Sequence, residues 1–277
     1  MNILITGGTG FLGKELTKQF VGKKDYTVTV FGRNEANLSI AKQDKRVNAV
    51  CGDVRDYDAI YRASKEYSVD IIIHAAALKR IDTCQDNPIE AYKTNVEGTW
   101  NCIRVCKEIN AQLCYISTDK ACEPCTTYGA TKYLAEQLVR RESQRYKFRG
   151  FVVRYGNVLD STGSVLGIWK KQFEKDGKVQ VRDKGMTRFF WTVKESVEFI
   201  EESIAKSNLI GLDYGINDVF IPNIKSLNIY DMACFLYGEE NVVVTKCDHT
   251  EKIHESLSGD MCSKDHVVSP GVILSKP

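Results

Sequence analysis

Short apolar runs alternate with longer stretches of helical spacing through the first half of the chain. Asn2–Thr6 is an apolar run that ends in glycines. From about Phe11 to Val21 apolar residues then recur every three or four positions, the spacing of one buried helix face. Tyr26–Phe31 alternates β-branched residues as a second strand, Val47–Val50 is a third, and helical spacing returns around Tyr57–Lys65. Ile71–His74 is isoleucine-rich without alternation, as expected for a parallel strand covered on both faces. A long helix through Pro88–Ile109, a strand at Leu113–Ser117, a helix at Tyr128–Tyr146 and a strand at Phe151–Tyr155 complete the series. Six strands alternating with helices predict an α/β fold built on a doubly wound parallel sheet with right-handed crossovers.

After about Gly156 the rhythm breaks. Val193–Lys206 and Leu227–Tyr237 have helical spacing and Val219–Pro222 reads as a short strand, but these pieces are irregular and far apart. The expected division is residues 1–156 as a dinucleotide-binding domain that carries the catalytic residues, and 157–277 mainly as a smaller C-terminal substrate-binding lobe. Interleaving of that lobe with the sheet is left open.

Composition narrows the class. Of 277 residues, 43% are hydrophobic and 27% charged, enough apolar material for a sizeable core. The formal net charge of +2 gives no electrostatic reason to bind nucleic acid or an anionic membrane. The apolar runs are far shorter than a bilayer span, and Met1 leads straight into a strand rather than a leader pattern, so a cytoplasmic setting is expected. Ten cysteines fit that setting as small buried hydrophobes, Cys102, Cys106 and Cys114 among them. Cys122-Glu-Pro-Cys125 is a lone CxxC with neither a second pair nor a nearby histidine, so no metal is expected.

Thr6-Gly7-Gly8-Thr9-Gly10-Phe11-Leu12-Gly13 lies where the first strand turns into the first helix. Glycines there permit a tight turn and let backbone approach a pyrophosphate at a positive helix N-terminus, which makes the sheet Rossmann-like. The second strand ends Phe31-Gly32-Arg33-Asn34, with no carboxylate to hold ribose hydroxyls and an arginine available for a 2′-phosphate, so NADP is the expected cofactor. Asp53 and Val54 follow the third strand, where the carboxylate is placed to reach an adenine.

Tyr128 precedes Lys132 by four residues, which puts both on one helix face. A cation that brings a phenol from about 10 toward 7 must supply roughly 4 kcal/mol of differential stabilisation. Tyr61-x-x-x-Lys65 has the same spacing, but only Tyr128 follows the strand end that carries Ser117-Thr118. The expected catalytic set is therefore Tyr128 and Lys132 with Thr118 as the hydroxyl partner.

The glycine loop, His74-Ala75-Ala76-Ala77, Asn95 and Tyr128-x-x-x-Lys132 together resemble the extended short-chain dehydrogenases. More narrowly, the chain resembles the soluble inverting UDP-N-acetylglucosamine 4,6-dehydratases of pseudaminic acid biosynthesis. That likeness rests on His74 through Lys79, Lys93-Thr94-Asn95, Ser117-Thr118-Asp119-Lys120-Ala121, Tyr128-Gly-Ala-Thr-Lys132 and Val152 through Val158. Met186-Thr187-Arg188-Phe189 and Glu251-Lys252-Ile253-His254-Glu255 extend it. The membrane-bound relatives usually carry methionine in place of Tyr128. The resemblance implies that Tyr128 takes the sugar 4-OH proton, that Lys120 removes the C5 proton as general base, and that a protonated Asp119 donates to the departing 6-OH. It implies cofactor contacts at Ala75, Ala76, Lys79 and Asn95 beside the glycine loop (Gly7, Thr9, Gly10, Phe11, Leu12 and Gly13), and substrate contacts at Lys79, Asn157, Arg188 and Glu251. Arg188 is read as a bidentate pyrophosphate ligand and Glu251 as a ribose ligand. The implied partner is a UDP-HexNAc nucleotide sugar, with homo-oligomerisation through the helices at Pro88–Ile109 and Tyr128–Tyr146.

The chain departs from the family at Thr162, at Pro222-Asn223-Ile224-Lys225-Ser226 and at Asp248-His249-Thr250. These positions bear on sugar and nucleotide identity more than on the chemistry. A 4-epimerase or 4-reductase on the same scaffold, and a non-catalytic NADP-binding sensor, are the competing readings.

Overall fold

The first six strands are β1 (Asn2–Thr6), β2 (Thr27–Gly32), β3 (Val47–Cys51), β4 (Ile71–His74), β5 (Gln112–Thr118) and β6 (Gly150–Tyr155). Beyond them lie β7 (Asn157–Val158), β8 (Val179–Val181), β9 (Thr187–Trp191) and β10 (Val219–Phe220), then β11 (Ser226–Asn228), β12 (Val242–Val244), β13 (Ser256–Ser258) and β14 (Met261–Cys262). The helices are α1 (Phe11–Val21), α2 (Glu35–Ala41), α3 (Tyr57–Glu66), α4 (Ile81–Asp86), α5 (Pro88–Tyr92) and α6 (Gly98–Ile109), followed by α7 (Thr127–Tyr146), α8 (Val165–Asp176), α9 (Val193–Ile210) and α10 (Ile229–Tyr237). This computed structural model describes residues 1–146, 148–161, 163–210, 219–246 and 251–274; Thr162 and Asp248-His249-Thr250 lie outside them.

Seven strands pair in the order β10-β6-β5-β4-β1-β2-β3, all parallel. The expected Rossmann-like sheet is present, and its chain order reverses between β1 and β4, where such sheets open a ligand crevice. Alternate strand residues feed two cores. Ile3, Ile5, Val28, Val30, Ile71 and Ile73 face one side, packed with Leu16 and Phe20 of α1 and with Ile200 of α9. Leu4, Phe31, Ile72, Leu113 and Val152 face the other, against α3, α6 and α7. Each such buried side chain contributes roughly 1.5–3 kcal/mol, so burial on both faces explains the unbroken isoleucine run of β4.

The chain beyond Gly156 contributes to both parts. β10 joins the edge of the large sheet beside β6, and α9 packs on α1. β7, β9 and β11 form a small sheet of their own, and Trp169, Val179, Met186, Leu227 and Met232 make a separate core beneath it. The helix expected over Pro88–Ile109 is broken by a π turn, Lys93–Glu97, between α5 and α6. The extra residue there turns Asn95 inward, where it bonds to the backbone of Leu78. Among the described residues, no helix is long and apolar enough to cross a membrane.

Candidate active site

β5 ends on Thr118, and the chain passes directly into a 3-10 turn, Asp119–Ala121. Thr118 is extended, and its hydroxyl oxygen caps the turn by accepting from the Lys120 amide at 3.4 Å. Gly129 lets α7 close over this turn, since a Cβ there would lie 2.3 Å from the Lys120 carbonyl oxygen. Residues 118, 120 and 128 thereby reach one wall of a cleft of about 1300 Å³ along the C-terminal ends of β1 to β6.

The other wall holds the predicted cofactor positions. The glycine loop, Arg33 and Asn34 after β2, Asp53 and Val54 after β3, and Ala75, Ala76 and Lys79 after β4 all line the cleft. The loop has the shape of a cradle: a Cβ on Gly13 would sit 2.4 Å from the Gly7 carbonyl oxygen and 2.5 Å from Gly8 Cα. A dinucleotide pyrophosphate fits this close backbone approach at the α1 N-terminus. Arg33 is exposed and 3.7 Å from Asp53, whereas the Asn34 side chain caps α2 by accepting the Asn37 amide at 2.9 Å. Asn95 is placed differently from expectation. It is buried behind the cleft, donating to the Leu78 carbonyl and Thr131 Oγ1 at 3.0 Å each and accepting from the Leu78 amide at 2.8 Å, so its amide holds the loop rather than facing a ligand.

Asp119 is fully buried and does not line the cleft. Its Oδ1 accepts from Thr118 Oγ1 at 2.8 Å and from Lys120 Nζ at 3.0 Å, and both of those residues do line it. Burial disfavours the Lys120 ammonium, but Asp119 and then Glu255 outweigh that cost and raise its pKa. Burial pushes the Tyr128 phenol up to about 12, with Lys120 the cation opposing the rise. Lys132 is arranged differently from the simple pairing expected of the motif. Its Nζ donates to the Ile116 carbonyl at 2.6 Å, lies 4.2 Å from the Tyr115 ring centroid, and is drawn down by burial to about 7. Tyr61 and Lys65 sit on α3, outside the cleft.

Arg188 lines the cleft, as expected of a substrate contact, but much of its fork is already engaged. Its Nη1 donates to the Thr187 and Ile253 carbonyls at 2.8 and 3.1 Å, its Nη2 to the Lys252 carbonyl at 2.8 Å, and its Nε lies 3.9 Å from Glu255. A guanidinium has five N–H donors. With three of them on backbone and a fourth facing a carboxylate, Arg188 fastens residues 252–255 to β9 and is not a free fork for pyrophosphate. Asn157 lines the cleft and donates to the Phe189 carbonyl at 3.2 Å, and Glu251 lines it 3.8 Å from Arg182. Among the cleft residues to which sequence reading gave no role are Arg182 and Glu255. No local pattern marks the first. Glu255 closes the Glu251–Glu255 stretch that carried part of the resemblance, which was the available signal.

His74 lies beneath this centre. Thr6 Oγ1 and Thr99 Oγ1 lie 2.6 and 3.1 Å from its two ring nitrogens, and burial, aided by Lys132, pushes its pKa down to about 3. An unfolded histidine titrates near 6.5, so below that pH the unfolded chain binds a proton that the folded one refuses. Stability should therefore fall as pH drops from 6.5 toward 3, by up to about 1.4 kcal/mol per unit from this residue. Urea midpoints between pH 6.5 and 5 test this, and His74→Asn should flatten the slope.

Among the described cysteines, Cys125 lines the cleft. Cys84, Cys102, Cys106 and Cys114 are buried, and burial raises all four thiols.

Residues 3–273 match the family described as polysaccharide biosynthesis protein. A UDP-N-acetylglucosamine 4,6-dehydratase (inverting) of Campylobacter jejuni is 36% identical over 267 residues, covering 92% of this chain and 77% of that one. A UDP-glucose 4-epimerase of Rickettsia bellii is 34% identical over 272 residues, covering 92% of this chain and 76% of that one. Among solved structures, a dTDP-glucose 4,6-dehydratase of Streptomyces venezuelae with NAD and TYD bound superposes with a TM-score of 0.78 at 20% identity, over 93% of this chain and 87% of that one; this likeness carries the fold alone. On sequence, sheet order and cleft together, the chain belongs to the polysaccharide biosynthesis protein family, a nucleotide-sugar dehydratase and epimerase family on the short-chain dehydrogenase/reductase fold.

Proposed function

We propose that the protein is an NADP-dependent UDP-HexNAc 4,6-dehydratase that inverts C5. The observation carrying this reading is the Asp119–Lys120 pair at the end of β5, in contact with the cleft that Tyr128 and the glycine loop share. An epimerase needs Tyr128 and Lys132 but has no use for a second acid–base pair there. The similarity to the inverting dehydratase supports the same choice.

A bound nicotinamide dinucleotide supplies the acceptor, and later the donor, of one hydride. Tyr128, as the phenolate that Lys120 and the positive charge of a bound nicotinamide would favour against burial, takes the proton of the sugar 4-OH as C4 is oxidised, and the resulting ketone acidifies C5–H. Asp119 and Lys120 share one proton across a 3.0 Å contact, so moving it from Nζ to the carboxylate yields a neutral amine and a carboxylic acid together. Asp119 is fully buried, so the neutral pair loses less solvation than the ion pair does. The Lys120 amine then removes the C5 proton. Asp119 returns its proton to the departing 6-oxygen through Thr118 Oγ1, which is 2.8 Å from it and lines the cleft. Water leaves, the hydride held by a bound reduced nicotinamide would return to C6, and Lys120 is left as the ammonium whose proton exchanges with solvent. A solvent proton, matched by the one that Tyr128 releases to water, enters C5 from the opposite face and completes the inversion. Lys79, Asn157, Glu251 and the part of the Arg188 fork left outside its backbone contacts are the candidate sugar-nucleotide contacts, with Arg182 an exposed cation of the lobe side.

Incubation with UDP-N-acetylglucosamine in D2O, followed by proton NMR, tests the reading. A 4-keto-6-deoxy product carrying deuterium at C5 is expected. Conversion to UDP-N-acetylgalactosamine would sink it in favour of epimerisation, and tight cofactor binding without reaction would favour a sensor.

Arg33 is the proposed ligand of the NADP 2′-phosphate. Arg33→Ala should weaken NADP roughly tenfold to a hundredfold, the loss of about 1.5–3 kcal/mol of charge-assisted hydrogen bonding, and leave NAD nearly unchanged. Fluorescence titration with both dinucleotides checks it. Equal weakening of the two would remove the assignment. Homo-oligomerisation is proposed through α5, α6 and α7, on which Ile89, Tyr92, Trp100, Tyr133 and Leu134 are exposed. The proposed setting is the cytoplasm.

A further inference from the structure

Lys120 has two carboxylate neighbours. Its Nζ is 3.0 Å from Asp119 Oδ1 and 3.7 Å from Glu255 Oε1. Glu255 comes from the far end of the chain, is 4% exposed, lines the cleft, and has a buried Oε2 that accepts no hydrogen bond among the described residues. Its backbone is pinned on both sides: its amide donates to Ser263 Oγ at 3.0 Å, and its carbonyl accepts from the Ser263 amide at 2.8 Å. Ser263 Oγ in turn lies 2.6 Å from Thr187 Oγ1 of β9. A side chain mounted on so fixed a backbone can hold a partner in place.

We propose that Glu255 is a positioning residue for Lys120, fixing its Nζ at the cleft wall between two carboxylates and governing how readily that ammonium gives up its proton. Lys120 faces Asp119 on its own turn, Tyr128 on α7, Arg188 on β9, and Glu255 on the segment before β13. Glu255 faces Lys120, Asp119, Arg188 and Lys252, the last at 3.9 Å. Two carboxylates therefore offset three cations in a water-poor pocket. Burial pushes the Glu255 carboxyl up, while Lys120, Arg188 and Lys252 favour its ionised form. Without Glu255 two carboxylates become one, and the Lys120 ammonium loses part of what offsets its burial.

The catalytic side of this inference rests on the reading of Lys120 as the C5 base, but its central test needs no substrate. Glu255→Gln keeps the shape and removes the charge. An opposite charge at this range raises a lysine by about 1 unit or more, so its removal lowers Lys120 and enlarges the neutral fraction at fixed pH. Competitive labelling with acetic anhydride at neutral pH, read by mass spectrometry against exposed Lys194, should show Lys120 reacting roughly tenfold faster than in the parent protein. The acid limb of the C5-exchange profile should move to lower pH by about 1 unit, while the limiting rate falls as Nζ loses its second anchor. Glu255→Asp should restore part of both. Unchanged or slower labelling of Lys120 in a Gln variant with the parent melting temperature would overturn the proposal. If the Gln variant does not fold, labelling of the Asp variant decides, and a rate equal to the parent's overturns it. Faster labelling combined with no C5 deuterium in the parent protein would instead overturn the dehydratase reading and leave Glu255 as the charge partner of Lys120.

Discussion

Lys120→Ala is expected to lower formation of the 4-keto-6-deoxy product by roughly 10²–10⁴-fold, the range for losing a positioned acid–base group. The loss should fall on the elimination more than on the first hydride transfer. Tyr128 and Lys132 stay in place, so reduction of bound nicotinamide on adding UDP-N-acetylglucosamine should still be seen in a single turnover. That step should slow, because Lys120 is the cation that offsets burial at the Tyr128 phenol, already pushed up to about 12. Lys120→Arg separates the two effects, since it keeps a cation near Tyr128 but supplies no amine that can be deprotonated. Steady-state turnover and single-turnover absorbance of all three proteins check this. Parent-like dehydration in the alanine variant would remove Lys120 from the proposed role.

Glu136→Ala should cost about 3–5 kcal/mol of stability, the penalty for leaving the partner of a buried ion pair uncompensated. Glu136 on α7 is fully buried and binds Arg154 of β6 through both oxygens, one at 3.0 Å from Nε and the other at Nη2. Arg154 Nη1 also donates to the Leu257 carbonyl at 2.8 Å, so one guanidinium joins α7, β6 and β13. Glu136 further supports the charge on Lys132, one helical turn before it, and its loss lowers that ammonium further. The denaturant midpoint should drop sharply at an unchanged m-value. Replacing both partners, as in Glu136→Leu with Arg154→Met, should recover much of the loss, because an uncompensated charge and not a missing attraction causes it. A single alanine variant within about 1 kcal/mol of the parent would refute the account.

The parallel sheet was legible because its signal is local. Ile71–Ile73 is apolar on both faces, the glycine loop follows the first strand at once, and helices of ten or more residues repeat their apolar spacing several times over. The π turn at Lys93–Glu97 was not, because it depends on the Asn95 amide finding the backbone of Leu78, 17 residues earlier. Val219–Phe220 read correctly as a strand, but its place at the sheet edge depends on pairing with β6. The engagement of Arg188 was not legible for a related reason, although the residue does line the cleft. A guanidinium near a phosphate site looks like a ligand until the carbonyls of residues 252 and 253 occupy it.

Near-neighbour spacing along the chain was enough to specify the strand–helix alternation, the glycine cradle, and the crowding of Thr118, Asp119, Lys120 and Tyr128 into one turn and the start of one helix. Turn and helix geometry act over a few residues, so residue order alone settles them. Which groups bear on Lys120 was settled only in three dimensions. Glu255 lies 135 residues downstream, Arg188 comes from β9, and Lys120 opposes the effect of burial at Tyr128 while Lys132 donates to the Ile116 carbonyl. Charge interactions depend on distance through space and on the loss of solvent around each group. Neither quantity exists until the distant segments have packed together.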